Sequence, residues 1–226
     1  MSTNEVIIIA HYQEQDREAV SRLLVDAFHG KFHSLLSLED NEIADLLIRL
    51  WEQDSTSLSS KQIIAYENGE VVGTIYLKWQ DTLSLKKGSI KPLNRAPFLQ
   101  LFKKFGYLNV CKLILGLYFL DYQPRAKECY VAHLAVRSSH RNKGIGKELL
   151  GWAADFVNSH SEVEKLTLHV ANKNKRAINM YQQLNFEIHK SNYSAVRHLL
   201  FKEPIWHYMT RKTSLQSGGS MNEKEN

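Results

Sequence analysis

The sequence predicts an α/β (α+β) fold in which helices flank a mixed central sheet of about seven strands, all in one domain. Strand-like and helix-like segments are interspersed along the chain: strand, helix, helix and hairpin, then strand, helix, strand, helix and two strands. A length of 226 residues with 43% hydrophobic content suffices for one core. Only two cysteines are present, Cys111 and Cys129, so no disulfide framework is expected.

Short-range signals predict the elements of the first half. EVIIIAHY has the apolar run of a first strand, and QDREAVSRLLVDAFHG has helical spacing with Gly30 placed to end the helix. SLEDNEIADLLIRLWEQ predicts a second helix, introduced by Ser37 and Asp40 as a variant of the capping box. Asn68 and Gly69 then separate two β-rich runs and favour the type I′ turn of a hairpin.

Residues 81–128 interrupt this order of strands and helices and predict a helical insertion. A loop-like stretch precedes two helical segments, APFLQLFKKF and LNVCKLILGLYFL. The second segment contains Asn109 and Lys112 and is shorter than the roughly 20 apolar residues of a membrane span, so no span is expected. The two helices could form a lid, a wall of a substrate pocket or the contact surface of a homodimer.

The second half alternates strands and helices. ECYVAHLAV predicts a strand, a helix follows from about Gly144 to His160, and KLTLHV and NKRAINMYQQL predict the next strand and helix. FEIHK and IWHYMTR are the last strands, and residues 191–204 between them predict a loop that could close a pocket. The domain is expected to span residues 1–212, and the polar tail, residues 213–226, to be disordered.

The charge of the chain indicates an anionic partner without identifying it. The net charge is +5 and the isoelectric point about 9.1, which a basic surface kept for solubility would also explain. A loose basic cluster in the insertion lacks the aromatic partners and the known module of nucleic-acid binding, so no nucleic acid is expected: Lys86, Lys87, Lys91 and Arg95. The low cysteine content and the lack of a signal-peptide pattern favour a cytoplasmic protein.

Two histidines with helical spacing raise the question of a metal site. His29 and His33 are four residues apart near a predicted helix end. No carboxylate or thiol follows them at the spacing of a known zinc site, so no metal is expected.

The stretch HRNKGIGKELL has the features of an anion site. The strand VAHLAV ends at Val136, and the next helix begins near Gly144. A helix start offers unpaired N–H groups and about half a positive charge, and Gly144 and Gly146 leave room for an anion to approach them. Full charges come from three neighbouring side chains: Arg141, Lys143 and Lys147. This junction predicts a phosphate or pyrophosphate site; the alternative is a tight turn with solvated cations.

Two common nucleotide motifs do not fit this stretch. A P-loop has a hydroxyl residue after its lysine, where this chain has Glu148, and a glycine five positions before Gly146 is also missing. A Rossmann fingerprint has a third glycine, where this chain has Leu149.

The order of motifs between Cys129 and Lys190 resembles the GNAT family of acetyl-coenzyme A-dependent N-acetyltransferases. After an apolar strand come Arg141-x-x-Gly144-x-Gly146 and a helix, and after a further strand come Asn174-x-x-Ala177-x-x-x-Tyr181 and Asn185-Phe186. The last pair departs from the family's Gly-Phe, but Asn tolerates the left-handed backbone that such a turn requires. Residues 1–80 match the family only in the order of their elements.

The resemblance implies a binding site for acetyl-coenzyme A. The turn before the long helix is expected to hold the pyrophosphate through Arg141, Asn142, Lys143, Gly144, Ile145, Gly146 and Lys147. The end of the preceding strand is expected to pair its backbone with the pantetheine arm through Leu134, Ala135 and Val136. Asn174 either hydrogen-bonds the cofactor arm or only caps its helix. Ala177 is small enough to let the cofactor pass.

The resemblance also assigns the chemistry at the thioester. Tyr181 can give a proton or a hydrogen bond to the thiolate that leaves on acetyl transfer, and the alternative is a tyrosine of the core. A backbone N–H near Leu134 or Ala135 is the expected donor to the oxyanion.

A primary amine must lose its proton before it attacks, and four side chains on the two flanking strands are candidate bases: Glu128, Tyr130, His133 and His169. In amino-terminal acetyltransferases of this family, which the strand pair resembles, a tyrosine and a histidine at the positions of Tyr130 and His169 handle this proton through water. The alternative is a strand histidine that its neighbours satisfy.

The expected function is the transfer of an acetyl group to a primary amine of a small molecule or peptide, by direct attack in a ternary complex. A catalytically inactive acyl-coenzyme A-binding regulatory or interaction module is the alternative, and another acyl-coenzyme A could replace the acetyl donor.

Overall fold

A computed structural model describes residues 6–51, 59–80 and 95–212, with the side chains of residues 95–97 excepted. Its seven strands form one sheet in the order β1-β2-β3-β4-β5-β7-β6, which confirms the predicted mixed sheet. Only β4 and β5 are parallel, and the other neighbouring strands are antiparallel. The strands are β1 Ile7–His11, β2 Ser59–Glu67, β3 Glu70–Trp79, β4 Glu128–Val136, β5 Lys165–Ala171, β6 Glu187–Tyr193 and β7 Ile205–Lys212.

Eight α-helices lie in the described residues, and the two helices of the predicted insertion, α4 and α5, are among them. They are α1 Arg17–Ala27, α2 His29–Leu35, α3 Asp40–Trp51, α4 Arg95–Phe105, α5 Tyr107–Leu120, α6 Ile145–Asn158, α7 Lys175–Gln183 and α8 Ala195–Phe201. None of these helices has both the length and the apolar composition that a bilayer crossing requires.

The hairpin turn between β2 and β3 has the predicted geometry. Asn68 and Gly69 adopt positive φ angles of 54° and 81°, which the two central positions of a type I′ turn require. Farther along β3, Gly73 permits the close approach of α6, because a Cβ there would lie 2.9 Å from Ile145 Cγ2. The turn therefore sets the register between β2 and β3. Gly73 lets α6, the helix at the predicted anion site, pack closely against β3.

Apolar cores lie on both faces of the sheet. Helices α6 and α7 cover one face, with Leu149 and Phe186 fully enclosed. Helix α1 covers part of the other face through Val20 and Leu23. A third cluster joins α1, α2, α3, α8 and the insertion helices, and Phe105 and Phe201 lie within it. The insertion and α8 thus share one core with the first helices.

Three local predictions were wrong. Gly30 does not end a helix: α1 stops at Ala27, and Gly30 lies inside α2, where its missing side chain faces open space. The Ser37–Asp40 capping box does not form either, because α3 begins at Asp40 and Glu42 accepts the N–H of Glu39.

The third error concerns residues 191–204, which were predicted as a loop. Strand β6 continues to Tyr193, and α8 follows after Ser194, whose hydroxyl accepts the N–H of Arg197 at 3.2 Å. The helix then ends at Lys202, which has a left-handed φ of 55°. The loop predicted at residues 83–95 lies outside the described residues except for Arg95, which begins α4, and the tail predicted at residues 213–226 lies wholly outside them.

Candidate active site

A gap between β4 and β5 forms the centre of the site. The two strands pair over only four positions, ending at Val131 and Leu168, although β4 continues to Val136 and β5 to Ala171. On its other side β4 carries a bulge at Ala132, because Leu77 pairs with Val131 and the next β3 residue, Tyr76, with His133. Beyond this bulge, residues 132–136 of β4 do not pair with β5. Their backbone groups on the side of β5 are therefore accessible to an extended ligand.

The turn after β4 presents a helix N-terminus at the mouth of this gap. Asn142 and Gly144 have left-handed φ angles of 71° and 89°, and Gly144 precedes the first residue of α6. The first intrahelical bond is donated by Lys147 to Gly144 O at 2.8 Å, so the N–H groups of Ile145 and Gly146 point out of the helix start.

Space around Gly146 supports the predicted anion site. A Cβ at Gly146 would lie 3.5 Å from Met180 Sδ and 3.8 Å from Val136 Cγ2, which is ordinary van der Waals contact. Packing within the protein therefore does not require a glycine here. The open surface over the helix start leaves space for an anion to reach the two N–H groups.

A buried carboxylate holds the turn in place. Glu67, at the end of β2, is only 6% exposed, and its carboxylate lies 3.3 Å from Lys143 Nζ. The same carboxylate lies 2.8 Å from His140 Nε2. Lys143 thus contributes charge to the turn while its ammonium is anchored, and sequence analysis missed Glu67 because it lies 76 residues earlier in the chain.

The remaining cations surround the same turn. Arg141 Nε and a terminal nitrogen lie 3.4 Å from the carbonyl oxygens of Val136 and Ala27, and Lys147 Nζ donates to the Gln183 side chain at 2.9 Å. Arg176, on α7, donates to the side chain of Asn142. Arg176 was not among the predicted residues, since it lies outside the turn motif.

Helix α7 carries the two remaining predicted cofactor contacts and the candidate acid. Asn174 caps the helix, with its Oδ1 accepting the N–H of Ala177 at 3.2 Å. Asn185 adopts a left-handed φ of 63°, as expected where the family has glycine, and brings Phe186 N–H to Tyr181 O at 3.0 Å.

Tyr181, on α7, belongs to the apolar core that α6 and α7 form with the sheet. It is 9% exposed, and its ring centre lies 5.8 Å from that of Phe186. Burial raises the pKa of its phenol to about 12, and none of the described residues hydrogen-bonds its hydroxyl. The phenol therefore stays protonated at neutral pH and can donate a hydrogen bond.

Tyr130 on β4 and His169 on β5 lie next to each other where the two strands separate. His169 Nδ1 and Tyr130 Oη are 3.2 Å apart. Burial, with a contribution from the charge of Arg197, lowers the pKa of His169 to about 4, so the imidazole is neutral at pH 7. Burial also raises the pKa of Tyr130. A neutral imidazole can accept a proton, directly or through water.

Glu128 lies beside this pair but is surrounded by donors. It is 1% exposed and accepts hydrogen bonds from Tyr122 Oη at 2.9 Å, Tyr208 Oη at 2.8 Å and the N–H of Arg125 at 3.0 Å. Lys165 Nζ lies 2.9 Å away. Burial alone would raise the pKa of this carboxyl, but the four donors outweigh it and lower the pKa below its usual value.

His133, the remaining candidate on β4, has a buried nitrogen. Its Nε2 has no hydrogen-bond partner among the described residues, and its ring stacks on Tyr76 at 5.4 Å. Burial, aided by the charge of Lys78, lowers the pKa of His133 to about 4. His133 is thus neutral at pH 7 and keeps one buried ring nitrogen unsatisfied within the described part of the chain.

Sequence analysis missed Arg197, which α8 brings to this side of the sheet. Its Nε donates to the carbonyl of Phe119 at 3.0 Å, and its guanidinium lies 5.4 Å from the ring centre of Trp206. Among the described residues Arg197 forms no ion pair with a carboxylate. No local signal marks it, because the chain folds back between β6 and β7 to place it here.

The gap therefore has three chemically distinct parts. A helix start with two outward-facing N–H groups lies at one end, the backbone edge of residues 132–136 runs along β4, and the neutral imidazole of His169 lies beside the phenol of Tyr130 where the two strands separate. This arrangement can hold a long ligand with a phosphate group and move protons at its far end.

Comparisons with known proteins agree with this description. The family model described as the Acetyltransferase (GNAT) family matches residues 17–186, more than half of the chain. The N-alpha-acetyltransferase 50 of Danio rerio is 30% identical over 92 residues, which cover 40% of this chain and 55% of that protein. The alignment thus spans about half the length of this relative.

Solved structures share the fold at low sequence identity. The ribosomal-protein-S18-alanine N-acetyltransferase of Escherichia coli superimposes with a TM-score of 0.53 and 13% identity, covering 98% of this chain and 99% of that one. A GNAT-family acetyltransferase of Streptococcus pneumoniae has a TM-score of 0.51 and 15% identity, covering 92% and 100% of the two chains.

Proposed function

The chain belongs to the GNAT acetyltransferase family and is an acyltransferase, and we propose that it transfers the acetyl group of acetyl-coenzyme A to a primary amine. The acceptor amine belongs to a small molecule or a peptide, and it attacks directly while both substrates are bound. The observation that carries this proposal is the β4–β5 gap, which has the helix start of α6 at one end and the Tyr130–His169 pair at the other.

The residues present fit acetyl-coenzyme A along the whole gap. The N–H groups of Ile145 and Gly146, with the cations around them, would bind the pyrophosphate. The open β4 edge at Leu134 and Val136 would pair with the amide groups of the pantetheine arm, as an added strand does. When bound, the cosubstrate supplies an activated acyl group as a thioester.

Tyr181 acts as the acid in this proposal. Its phenol is protonated at neutral pH because burial raises its pKa to about 12. The hydroxyl can donate to the sulfur as the carbon–sulfur bond breaks, and the proton then stays with the departing thiol. A backbone N–H near Leu134 or Ala135 would donate to the carbonyl oxygen.

The Tyr130–His169 pair removes the proton of the acceptor amine. An alkylamine of pKa about 10.4 is charged at pH 7, so a base must take a proton from it before the attack. Neutral His169 can accept that proton through a water, and Tyr130 holds the imidazole at 3.2 Å. Glu128 is a positioning residue in this proposal, because four donors already occupy its two oxygens and two of them, Tyr122 and Tyr208, lie around His169.

A peptide amine is the better supported of the two acceptor classes. The Danio rerio relative is named as an N-alpha-acetyltransferase. On this side of the sheet, Arg197 lacks a carboxylate partner among the described residues, and His133 has a free buried nitrogen. The guanidinium of Arg197 can hydrogen-bond polar atoms that follow the reacting amine. The other reading, a binding module without catalysis, has no support in a site that retains both the acid and the base.

The proposal is tested with a substitution at the helix start and its matched control on the same helix. Gly146→Glu places a carboxylate over the two N–H groups, whereas Gly151→Glu adds the same side chain where nothing lies within 4 Å of the new Cβ. Both variants should fold, since Gly is less favourable in helices than Glu. Calorimetry should show acetyl-coenzyme A binding about 100-fold weaker in the first and unchanged in the second, a loss of about 2.7 kcal/mol.

The acceptor is identified in the same experiment series by thiol release. Acetyl-coenzyme A is supplied with a panel of small amines and short peptides, and free coenzyme A is measured. Turnover with a peptide amine that Gly146→Glu abolishes supports the proposal. Equal coenzyme binding by the two variants, or no turnover with any amine, would contradict it.

A further inference from the structure

A cluster of metal-ligating side chains lies outside the acetyl-transfer site, where α2 meets the start of α3. His29 and His33 are four residues apart on α2, and their ring centres are 4.1 Å apart. Asp40 is the first residue of α3, and its Oδ1 lies 2.7 Å from His33 Nε2 and 3.8 Å from His29 Nε2. The three candidate ligand atoms all lie within 4.8 Å of one another.

We infer that His29, His33 and Asp40 form a binding site for a zinc-type divalent transition metal. Zinc binds histidine nitrogens and carboxylate oxygens at about 2.0–2.2 Å, which in tetrahedral geometry places the ligand atoms about 3.4 Å apart. The observed separations bracket this value, so small side-chain rotations complete the site. The three side chains are 32–60% exposed, which leaves the fourth position open to water.

The geometry favours a metal over a simple ion pair. Two histidines at positions i and i+4 present their rings on one helix face, the spacing that helical zinc sites use. Both Nε2 atoms here converge on a single carboxylate oxygen instead of on separate partners. A shared divalent ion between the two imidazoles and the carboxylate satisfies all three groups at once, whereas an exposed ion pair contributes little.

The donor set selects the class of metal. Imidazole nitrogens suit zinc, copper, nickel and iron, whereas magnesium and calcium prefer sets made only of oxygen. One carboxylate with two histidines therefore favours zinc among the abundant divalent ions. The expected absence of a metal site was based on sequence spacing alone, and it did not foresee that α3 returns Asp40 to the histidines.

A metal at this position would fasten α2 to α3. Helix α2 also contacts α8, where Ser34 Oγ donates to the carbonyl of Leu200 at 3.1 Å. Lys31, on the same helix, lies 4.9 Å from the ring centre of Trp206 on β7. The metal is therefore structural in this inference: it stabilises the packing of α2 against α8 and β7 and takes no part in acetyl transfer.

Zinc chloride alone is the probe, titrated into the full chain and followed by calorimetry and thermal unfolding. Wild-type protein should bind one zinc ion and unfold at a higher temperature as zinc is added, because the ion binds the folded state only. His29→Ala and Asp40→Asn should each weaken zinc binding at least about tenfold and remove the thermal shift. His198→Ala, which removes an exposed histidine of α8, is the matched control and should change neither quantity.

Magnesium chloride serves as a second control and should produce no thermal shift through this site. Circular dichroism of the zinc-free variants checks their folding, and His29→Gln provides a second variant if the alanine form is unstable. The inference is overturned if His29→Ala and Asp40→Asn bind zinc as tightly as His198→Ala does. It is also overturned if the wild type shows no zinc-dependent shift.

Discussion

The two ends of the β4–β5 gap, the proposed coenzyme end at the start of α6 and the proposed acceptor end around His169, are built in opposite ways. The coenzyme end consists mainly of one continuous stretch, in which β4, its turn and α6 place N–H groups and cations at the surface. The acceptor end draws single side chains from distant elements: Tyr122, Tyr130, His169, Arg197 and Tyr208. Binding an anion thus needs only a local motif, whereas moving protons needs a buried chamber that the whole fold assembles.

The two ends also differ in their electrostatics. At the coenzyme end the cations lie near the surface and contact side-chain amides, backbone carbonyl groups and one carboxylate. That carboxylate belongs to Glu67, which is buried. At the acceptor end burial moves pKa values far from their usual range, to about 4 for His133 and His169 and about 12 for Tyr181. Substitutions at the first end should therefore change affinity, and those at the second should change turnover and its pH dependence.

The largest effect is expected from Tyr181→Phe. Removing the phenol leaves the departing sulfur without a proton donor, and general acid catalysis contributes about 10²–10⁴-fold. The value of kcat should fall about 1000-fold while acetyl-coenzyme A affinity stays unchanged. Tyr193→Phe, at a tyrosine that is 71% exposed, is the control and should retain full activity. A decrease of less than about threefold in kcat would show that Tyr181 is only a core residue.

Glu128→Gln tests whether the acceptor chamber depends on its buried carboxylate. The substitution leaves Lys165 without its charged partner and turns an acceptor oxygen into a donor that faces other donors. Breaking a buried pair in this way should lower the free energy of unfolding by about 3 kcal/mol at pH 7. Glu164→Gln, at a more exposed carboxylate paired with Lys127, should cost less than about 0.5 kcal/mol.

The pH dependence of this stability has a defined sign. The pKa of Glu128 in the folded protein lies below its ordinary value of 4.5, so its stabilising effect is complete above that value. The effect is lost as the pH falls through the lower, folded pKa. Denaturant unfolding of wild type and Glu128→Gln should therefore converge at acidic pH. A constant difference down to low pH would mean that the carboxylate acts through packing alone.

His169→Ala tests the base at the acceptor end. Loss of the imidazole should reduce kcat/KM at pH 7 about thirtyfold, since water remains as a weaker base. In the wild type the neutral imidazole is present above pH about 4 and is lost below it, so the acidic limb of the rate profile should lie near 4. His189→Ala should leave this limb in place. A wild-type limb near 6.5, or a variant with normal turnover, would remove His169 as the base.

The contrast between the two ends also explains what the sequence could predict. Gly144, Gly146 and the cations of the turn are contiguous, so their charge and backbone freedom can be seen in one short window. Tyr181 follows from the resemblance of Asn174-x-x-Ala177-x-x-x-Tyr181 to the family's motif. Arg197 could not be found, because α8 was predicted as a loop: its seven residues make too short a periodic run, and only the packed core around Phe201 stabilises them.

Register and bending are a second reason for the limits of sequence analysis. The bulge at Ala132 opens the gap, yet a bulge at an alanine has no characteristic sequence. The four donors of Glu128 come from the loop before β4, from β5 and from β7, so the occupation of both its oxygens was not visible when it was named as a candidate base. Long-range geometry thus decides which of several polar strand residues can work as bases.

The smallest effect is expected at Asn174, which has two predicted roles at the coenzyme end: it caps α7 and it could bind the cofactor arm. Its Oδ1 caps α7 by accepting the N–H of Ala177, and loss of such a cap costs about 1 kcal/mol. Asn174→Ala should show this loss in the free energy of unfolding.

Asn174→Ser keeps a capping oxygen but removes the amide N–H₂ that could donate to the cofactor arm, so it separates the two roles. We expect Asn174→Ser to retain stability and to bind acetyl-coenzyme A about fivefold more weakly, a change of about 1 kcal/mol. Unchanged affinity would assign Asn174 to capping alone, and the coenzyme end would then consist only of β4, its turn and α6.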